Sequence, residues 1–261
     1  YLSYLESYTK DGKLYTNREE GKSRKLSSLK SFYDYYFKKN LIRTNPPRQV
    51  DVPKIKNKNI IRLDPNEIAQ LLDEAESGEK LSGRQLASHE KTKVRDVAIL
   101  TLLLGTGIRV SECVGLNLED VDFNNGAIRI IRKGGNEALI YFGDEVSQAL
   151  EAYMNGPRKT VEPAAGHEEA LFISLNKTRI TTRSVERLVK KYSRLVTTVK
   201  KITPHKLRST FGTALYQETG DIYLVADTLG HKDVNTTKKH YAAIDEHRRR
   251  MAANVVKLRE S

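Results

Sequence analysis

Three short segments carry arginines, histidines and a tyrosine at spacings that suit work on a phosphate. In GTGIRVSE a turn bounded by Gly105 and Gly107 runs into a short helix bearing Arg109 and Glu112. An arginine at a helix start joins a planar, two-pronged cation to open backbone N–H groups, and both attract an anion. Glu112, one turn on, can orient the guanidinium. Alone, the pair reads first as an ordinary surface salt bridge. In TPHKLRST, His205 and Arg208 share one helical face and can converge on a single phosphate. A histidine in a first helical turn is more often structural, so this pair too needs company. In LGHKDVNTTKKHYAAI, Gly230 ends a helix, His231 follows in the turn, and Tyr241 lies on the next helix behind Thr236 and Thr237.

Helices with clear ends must hold these groups. Thr203 is placed to cap, Pro204 fits the first helical position and Gly220 falls beyond the far end, which bounds the helix of His205 and Arg208. Upstream, LDPNEIAQLLDEA opens with Asp64 as cap, Pro65 at the first position and Glu67 completing a capping box. The polar residues 78 to 92 are expected to form a mobile loop. The run VRDVAILTLLL, apolar on nearly every side, reads as a buried helix stopping at Gly105-Thr106-Gly107. Residues 117 to 142 alternate or run apolar in short blocks separated by Asn125-Gly126 and Gly134-Gly135, which predicts a small antiparallel sheet. Helices resume in DEVSQALEAYM and in TTRSVERLVKKYSRLVTTVK. In the latter, Val185, Leu188, Tyr192, Leu195 and Val199 form an apolar stripe, and Arg183, Arg187, Lys190, Lys191 and Arg194 form a basic one. The basic stripe can face DNA phosphates or be a solvated charged face. The fold class is therefore mainly α with a small antiparallel β-sheet.

Residues 24 to 39 predict an amphipathic helix with Leu26, Leu29, Phe32, Tyr33 and Tyr36 on one face. The segment around it, residues 1 to 47, is short for an ample core of its own and reads as part of a helical domain. The chain opens at Tyr1 within a helical pattern, so a longer parent is expected. Residues 48 to 60 form a basic linker in which Lys54, Lys56 and Lys58 alternate; an extended backbone turns all three to one side, toward phosphates or simply toward water. Residues 61 to 261 make the main domain, with a tail from about 246 whose apolar residues follow a basic cluster. The 261 residues hold 45 lysines and arginines against 33 acidic residues, a formal charge of +12. The sequence pI near 9.6 points to a polyanionic partner, and nucleic acid is the natural one because the cations lie along helices and the linker. The single Cys113 excludes an intrachain disulfide and a cysteine-rich zinc site. With no long apolar run or signal-like start, a cytoplasmic protein without membrane partners is expected.

Taken together, GTGIRVSE, HKLR, LGH and the later Tyr241 resemble, in order, the motifs of the tyrosine recombinase family. The resemblance covers residues 61 to 261, to Xer-type recombinases and to integrases of phages or conjugative elements, and only loosely residues 1 to 47. It implies a catalytic domain preceded by part of a helical core-binding domain, which cuts and rejoins DNA through a 3′-phosphotyrosine. Arg109 and Arg208 would bind the phosphate, His205 and His231 assist, and Tyr241 attack. Lys133, against the hairpin Gly134, would protonate the leaving 5′ hydroxyl, with Arg129 and Arg132 as neighbours that compete for this assignment. These roles suit the chemistry, since only roughly one phenol in a thousand is ionised at neutral pH and attack needs a base and neutralised phosphate oxygens. Tyr241 lies ten residues after His231, one more than in Xer proteins, and His240 falls where their tyrosine stands; the longer spacing leans toward the integrases. The implied partners are double-stranded DNA with a specific site and further protomers, in a tetramer on two paired sites, with the tail docked on a neighbour or packed in cis. A prokaryotic cytoplasm follows from the same resemblance. The motif segments present mainly arginines, histidines and lysine and hold no cluster of carboxylates of the kind metal sites need, so no metal is expected. No cofactor is expected either, because a phosphotyrosine conserves the energy of the broken diester. Two rivals remain: a type IB topoisomerase-like relaxing enzyme and a catalytically idle DNA-binding regulator of the same fold.

Overall fold

Helix-capping chemistry sets where most elements begin and end in the computed structural model, which describes residues 1–54, 61–132, 134–231 and Val234. Lys56, Lys58, Lys133, His240, Tyr241 and the tail from 246 lie outside the described residues. The described chain falls into two compact units, one within residues 1–59 and one from residue 60 onward.

In the first unit, α1 (Leu2–Glu6) leads into a hairpin of β1 (Ser7–Lys10) and β2 (Lys13–Thr16), then α2 (Glu19–Lys38) and a 3₁₀ turn at Pro46–Gln49. The hairpin adds to the elements expected from the sequence. Its turn residues, Asp11 and Gly12, both have positive φ, at 51° and 71°, as a two-residue hairpin turn of the favoured twist requires. Tyr8 stacks between Tyr4 and Tyr15 with ring centroids 5.1 and 5.4 Å away. On α2, Leu26 is buried, but Phe32 is exposed and Tyr33 and Tyr36 are only half-buried. The apolar core of this unit is Leu5 and Leu26, as small as its length suggests.

In the second unit, α3 (Pro65–Ser77) has the expected capping box: Asp64 and Glu67 each accept the other's backbone N–H at 2.9 Å. The helix α4 (Arg84–Thr106) is central, packing on α3, α6 (Asp144–Tyr153) and α8 (Pro204–Thr219). Its Ala98, Ile99, Leu100, Leu102 and Leu103 are fully buried, and each large side chain among them contributes roughly 1.5–3 kcal/mol by leaving water. Between α4 and α6 lie α5 (Val110–Gly115) and an antiparallel sheet of β3 (Val121–Asp122), β4 (Ala127–Ile131) and β5 (Glu137–Tyr141), in that order. Register pairs Ile128 with Ile140 and Ile130 with Ala138, which turns the apolar face inward. Among the described residues, α7 (Thr182–Val196), α8 and α9 (Ile222–Thr228) follow.

The loop expected over residues 78 to 92 is mostly helix, because α4 starts at Arg84. Most of its polar residues are exposed, but His89 and Thr92 are buried. The His89 Nδ1 lies 3.0 Å from the Tyr192 hydroxyl, which donates to Asp96 at 3.1 Å, and Thr92 donates to the same carboxylate at 2.9 Å. Arg95 closes on the other Asp96 oxygen at 2.7 Å. This cluster joins α4 to α7, and burial lowers the pKa of His89 and raises that of the Tyr192 phenol.

Candidate active site

The glycine that ends α4 allows a close approach in this region. Gly107 has φ +62°, and a Cβ there would lie 2.3 Å from the ring of Phe211 on α8. One turn before Phe211, buried Arg208 donates Nη1 to the Gly107 carbonyl at 2.6 Å and Nη2 to the Leu229 carbonyl just beyond α9. A single guanidinium thus ties together the end of α4, the first half of α8 and the turn after α9.

Arg109 occupies the N-cap of α5 and reaches the same turn. Its Nη1 meets Glu112 Oε1 at 2.8 Å, its backbone N–H meets Oε2 at 2.6 Å, and its Nη2 donates to the Gly230 carbonyl at 3.3 Å. The pair is a salt bridge and more, because the buried Glu112 carboxylate holds the arginine against the turn. Gly230 has φ +60°, its N–H donates to Asp227 at 2.8 Å, and the His231 N–H donates to Ala226 at 2.9 Å. His231 follows at once and is half-buried. His205 is exposed in the first turn of α8, three residues before Arg208. Thr203 stands at the N-cap without a side-chain capping hydrogen bond, and Pro204 and Gly220 end the helix as the sequence indicates.

A third arginine joins them, Arg132, which the sequence marks only as a neighbour of Lys133. Arg132 Nη2 lies 3.3 Å from the carbonyls of both Asp227 and Thr228. Arg129 points elsewhere and pairs with Asp120 at 3.0 Å and Glu119 at 3.2 Å. The structure therefore brings Arg109, Arg132 and Arg208 onto the turn that presents His231.

On α7 the basic stripe holds in part. Arg183, Arg187, Lys190 and Arg194 are exposed, opposite buried Val185, Leu188 and Tyr192. Lys191 departs from the expected outward face: its Nζ turns to Asp96 at 3.5 Å, and burial lowers its pKa despite that carboxylate. Val199 departs from the apolar stripe, lying beyond the helix end and 92% exposed. Lys54 is exposed in irregular chain. Among the described residues, no helix is long and apolar enough to cross a membrane, and no group of three or more His, Cys, Asp or Glu could hold a metal ion.

Residues 61–248 match the phage integrase family. The chain is 36% identical over 218 residues to the tyrosine recombinase XerC of Thermodesulfovibrio yellowstonii, covering 83% of this chain and 69% of that one. It is 29% identical over 255 residues to the XerD of Oceanobacillus iheyensis, covering 91% and 82%. Among solved structures, the XerH site-specific recombinase in a post-cleavage complex with a palindromic difH substrate gives a TM-score of 0.69 at 21% identity, covering 91% of this chain and 67% of that one. The Tn1549 transposon integrase in complex with circular intermediate DNA gives 0.66 at 25%, covering 89% and 78%. A match over most of the chain, a tyrosine recombinase relative above a third identical and a shared catalytic-domain fold lead to one conclusion: this chain belongs to the phage integrase family and is a tyrosine-type site-specific DNA recombinase.

Proposed function

We propose that the recombination runs through Tyr241, with Arg109, Lys133, His205, Arg208 and His231 as its helpers. The observation that carries this assignment is the convergence of Arg109 and Arg208, distant in sequence, on the successive carbonyls of Gly230 and Leu229 beside His231. Backbone carbonyls fix the Arg208 guanidinium without cancelling its charge, and Arg109, partly offset by Glu112, is held beside it, so two arginines are set in place for one phosphate. The Tyr241 oxygen attacks phosphorus, a phosphotyrosine bond forms and the bond to the 5′ oxygen breaks. His205 and His231 assist proton movement from the phenol, and Lys133 gives a proton to the leaving 5′ oxygen. Attack by a 5′ hydroxyl of a second strand reverses each step and joins the strands.

Double-stranded DNA bearing a specific site is the substrate, and exchange between two sites calls for several protomers, a tetramer on two paired duplexes. The exposed cations of α7 and Lys54 track the phosphates, and their contribution is set by salt. Xer recombinases supply the sequence likeness and a transposon integrase part of the structural likeness.

The test begins with the full chain selecting its site from a pool of randomised duplexes. Two copies of that site in direct repeat are then placed on a supercoiled plasmid. Deletion circles are the expected product. A ladder of relaxed topoisomers without deletion would instead favour the topoisomerase-like rival, and binding without any strand change the idle regulator.

A further inference from the structure

We propose that Arg132 is a positioning residue for strand cleavage, locking the β4–β5 hairpin to the turn that presents His231; this rests on the roles given above to Lys133 and His231. The backbone of Arg132 sits at the root of the hairpin loop, where its N–H donates to Asn136 at 2.8 Å and its carbonyl accepts from Gly135 at 3.0 Å. From that root its side chain crosses to the end of α9. There Nη2 lies 3.3 Å from both the Asp227 and the Thr228 carbonyls. Carbonyls in a last helical turn lack their i+4 partners; the Asp227 carbonyl takes the Gly230 N–H at 2.8 Å, and the cation adds a donor to it and to Thr228 while retaining its charge.

Gly230 completes the fit. A Cβ at this position would lie 2.3 Å from Arg132 Nη1 and 2.6 Å from Cζ, so the guanidinium fills the space a side chain at 230 would need. Glycine here serves two ends: it accepts φ +60°, and it admits the cation. The next residue along the chain from Arg132 is Lys133, and the next from Gly230 is His231. One side chain thus couples the residue before the proposed general acid to the turn before the proposed helper histidine. Two hydrogen bonds of this length are individually weak. The contribution of Arg132 therefore lies in alignment, where small displacements of reacting groups cost large factors in rate.

The test uses nicked duplexes carrying the selected site, with either an ordinary diester or a sulfur in place of the 5′ bridging oxygen at the scissile position. A thiolate leaves without being protonated, so a defect in delivering the proton disappears on the sulfur substrate. Arg132→Ala is expected to form the covalent adduct roughly tenfold to hundredfold more slowly on ordinary DNA. On the sulfur substrate it should approach the wild-type rate, as Lys133→Ala should. Arg132→Lys, which keeps a cation and a donor, should recover part of the ordinary rate. Gly230→Ala displaces the guanidinium without deleting it and should show the same sulfur rescue. The double variant should then be no slower than the slower single one. Wild-type cleavage by Arg132→Ala would overturn the proposal. So would a deficit of the same size on both substrates, because the loss would then owe nothing to proton delivery to the 5′ oxygen. If the wild-type chain forms no adduct, or Lys133→Ala shows no sulfur rescue, the underlying roles fail first, and the control lanes reveal it.

Discussion

Two polar clusters of the second unit treat their cations in opposite ways. Between α4 and α7, Arg95 and Lys191 close on the buried carboxylate of Asp96, which Thr92 and Tyr192 also approach. Around the turn after α9, Arg132 and Arg208 are anchored on the backbone carbonyls of residues 107 and 227 to 229. Arg109 combines a carboxylate with such a carbonyl. A carboxylate neutralises the cation it fixes, whereas a carbonyl fixes it and leaves its field intact. The first cluster ties two helices together, and the second leaves positive charge largely uncancelled, as the proposed phosphate site requires.

The largest effect should come from breaking the closed cluster. Asp96→Ala leaves half-buried Arg95 and Lys191 without their carboxylate and is expected to cost about 3 kcal/mol of stability in urea unfolding. A loss under about 1 kcal/mol would mean the cluster is not a paired network. Arg208→Ala acts on the open one. It should slow adduct formation by roughly 10²–10³-fold, comparable to removing a preorganised donor from a transition state, with a smaller change in unfolding. Retained cleavage would reduce Arg208 to a structural tie. Gly107→Ala tests the backbone that receives Arg208. The left-handed φ alone costs about 1–2 kcal/mol for a side chain, and Phe211 must also give way, so both stability and cleavage should fall.

The closed cluster should also answer to acid. His89 is held below its ordinary pKa of 6.5, by burial first and then by Lys191, while Glu90 and Asp96 oppose the shift and Lys93 adds to it. The unfolded chain therefore takes up a proton before the folded one does. Stability should decline as pH falls below 6.5, with a slope of at most about 1.4 kcal/mol per pH unit from this residue, and His89→Gln should remove that component. The smallest effect separates the two kinds of cation on α7. Arg187→Ala should lower the salt dependence of DNA binding by about one unit of slope. Lys191→Ala should leave the slope unchanged and instead weaken folding.

The same contrast explains what the sequence disclosed. Asp64, Pro65 and Glu67, like Pro204 and Gly220, write helix ends in local chemistry, and the structure places those ends there. Asn125-Gly126 and Gly134-Gly135 marked the hairpins of the sheet in the same local way. Asp11-Gly12 carried an equally local signal for the first hairpin, which the helical pattern around it masked. His89, Thr92 and Asp96 look like loop residues because their partners lie on another helix, so α4 begins earlier than its apolar run suggests. Lys191 fits the basic stripe in spacing, and only Asp96 draws it inward. Arg109, His205, Arg208 and His231 stood in recognisable motifs. Arg132 had no motif to mark it, since its partners are main-chain carbonyls far along the chain, and carbonyls carry no sequence signature.

The central claim is that Tyr241 makes the covalent bond to DNA. A nicked duplex bearing the selected site traps that bond, because the freed short strand diffuses away before rejoining. The wild-type chain should give an adduct stable to denaturing electrophoresis whose DNA-linked peptide contains Tyr241. His240→Ala should give it too, and Tyr241→Phe should give none. An adduct that persists in Tyr241→Phe, or a linked peptide lacking residue 241, would contradict the claim.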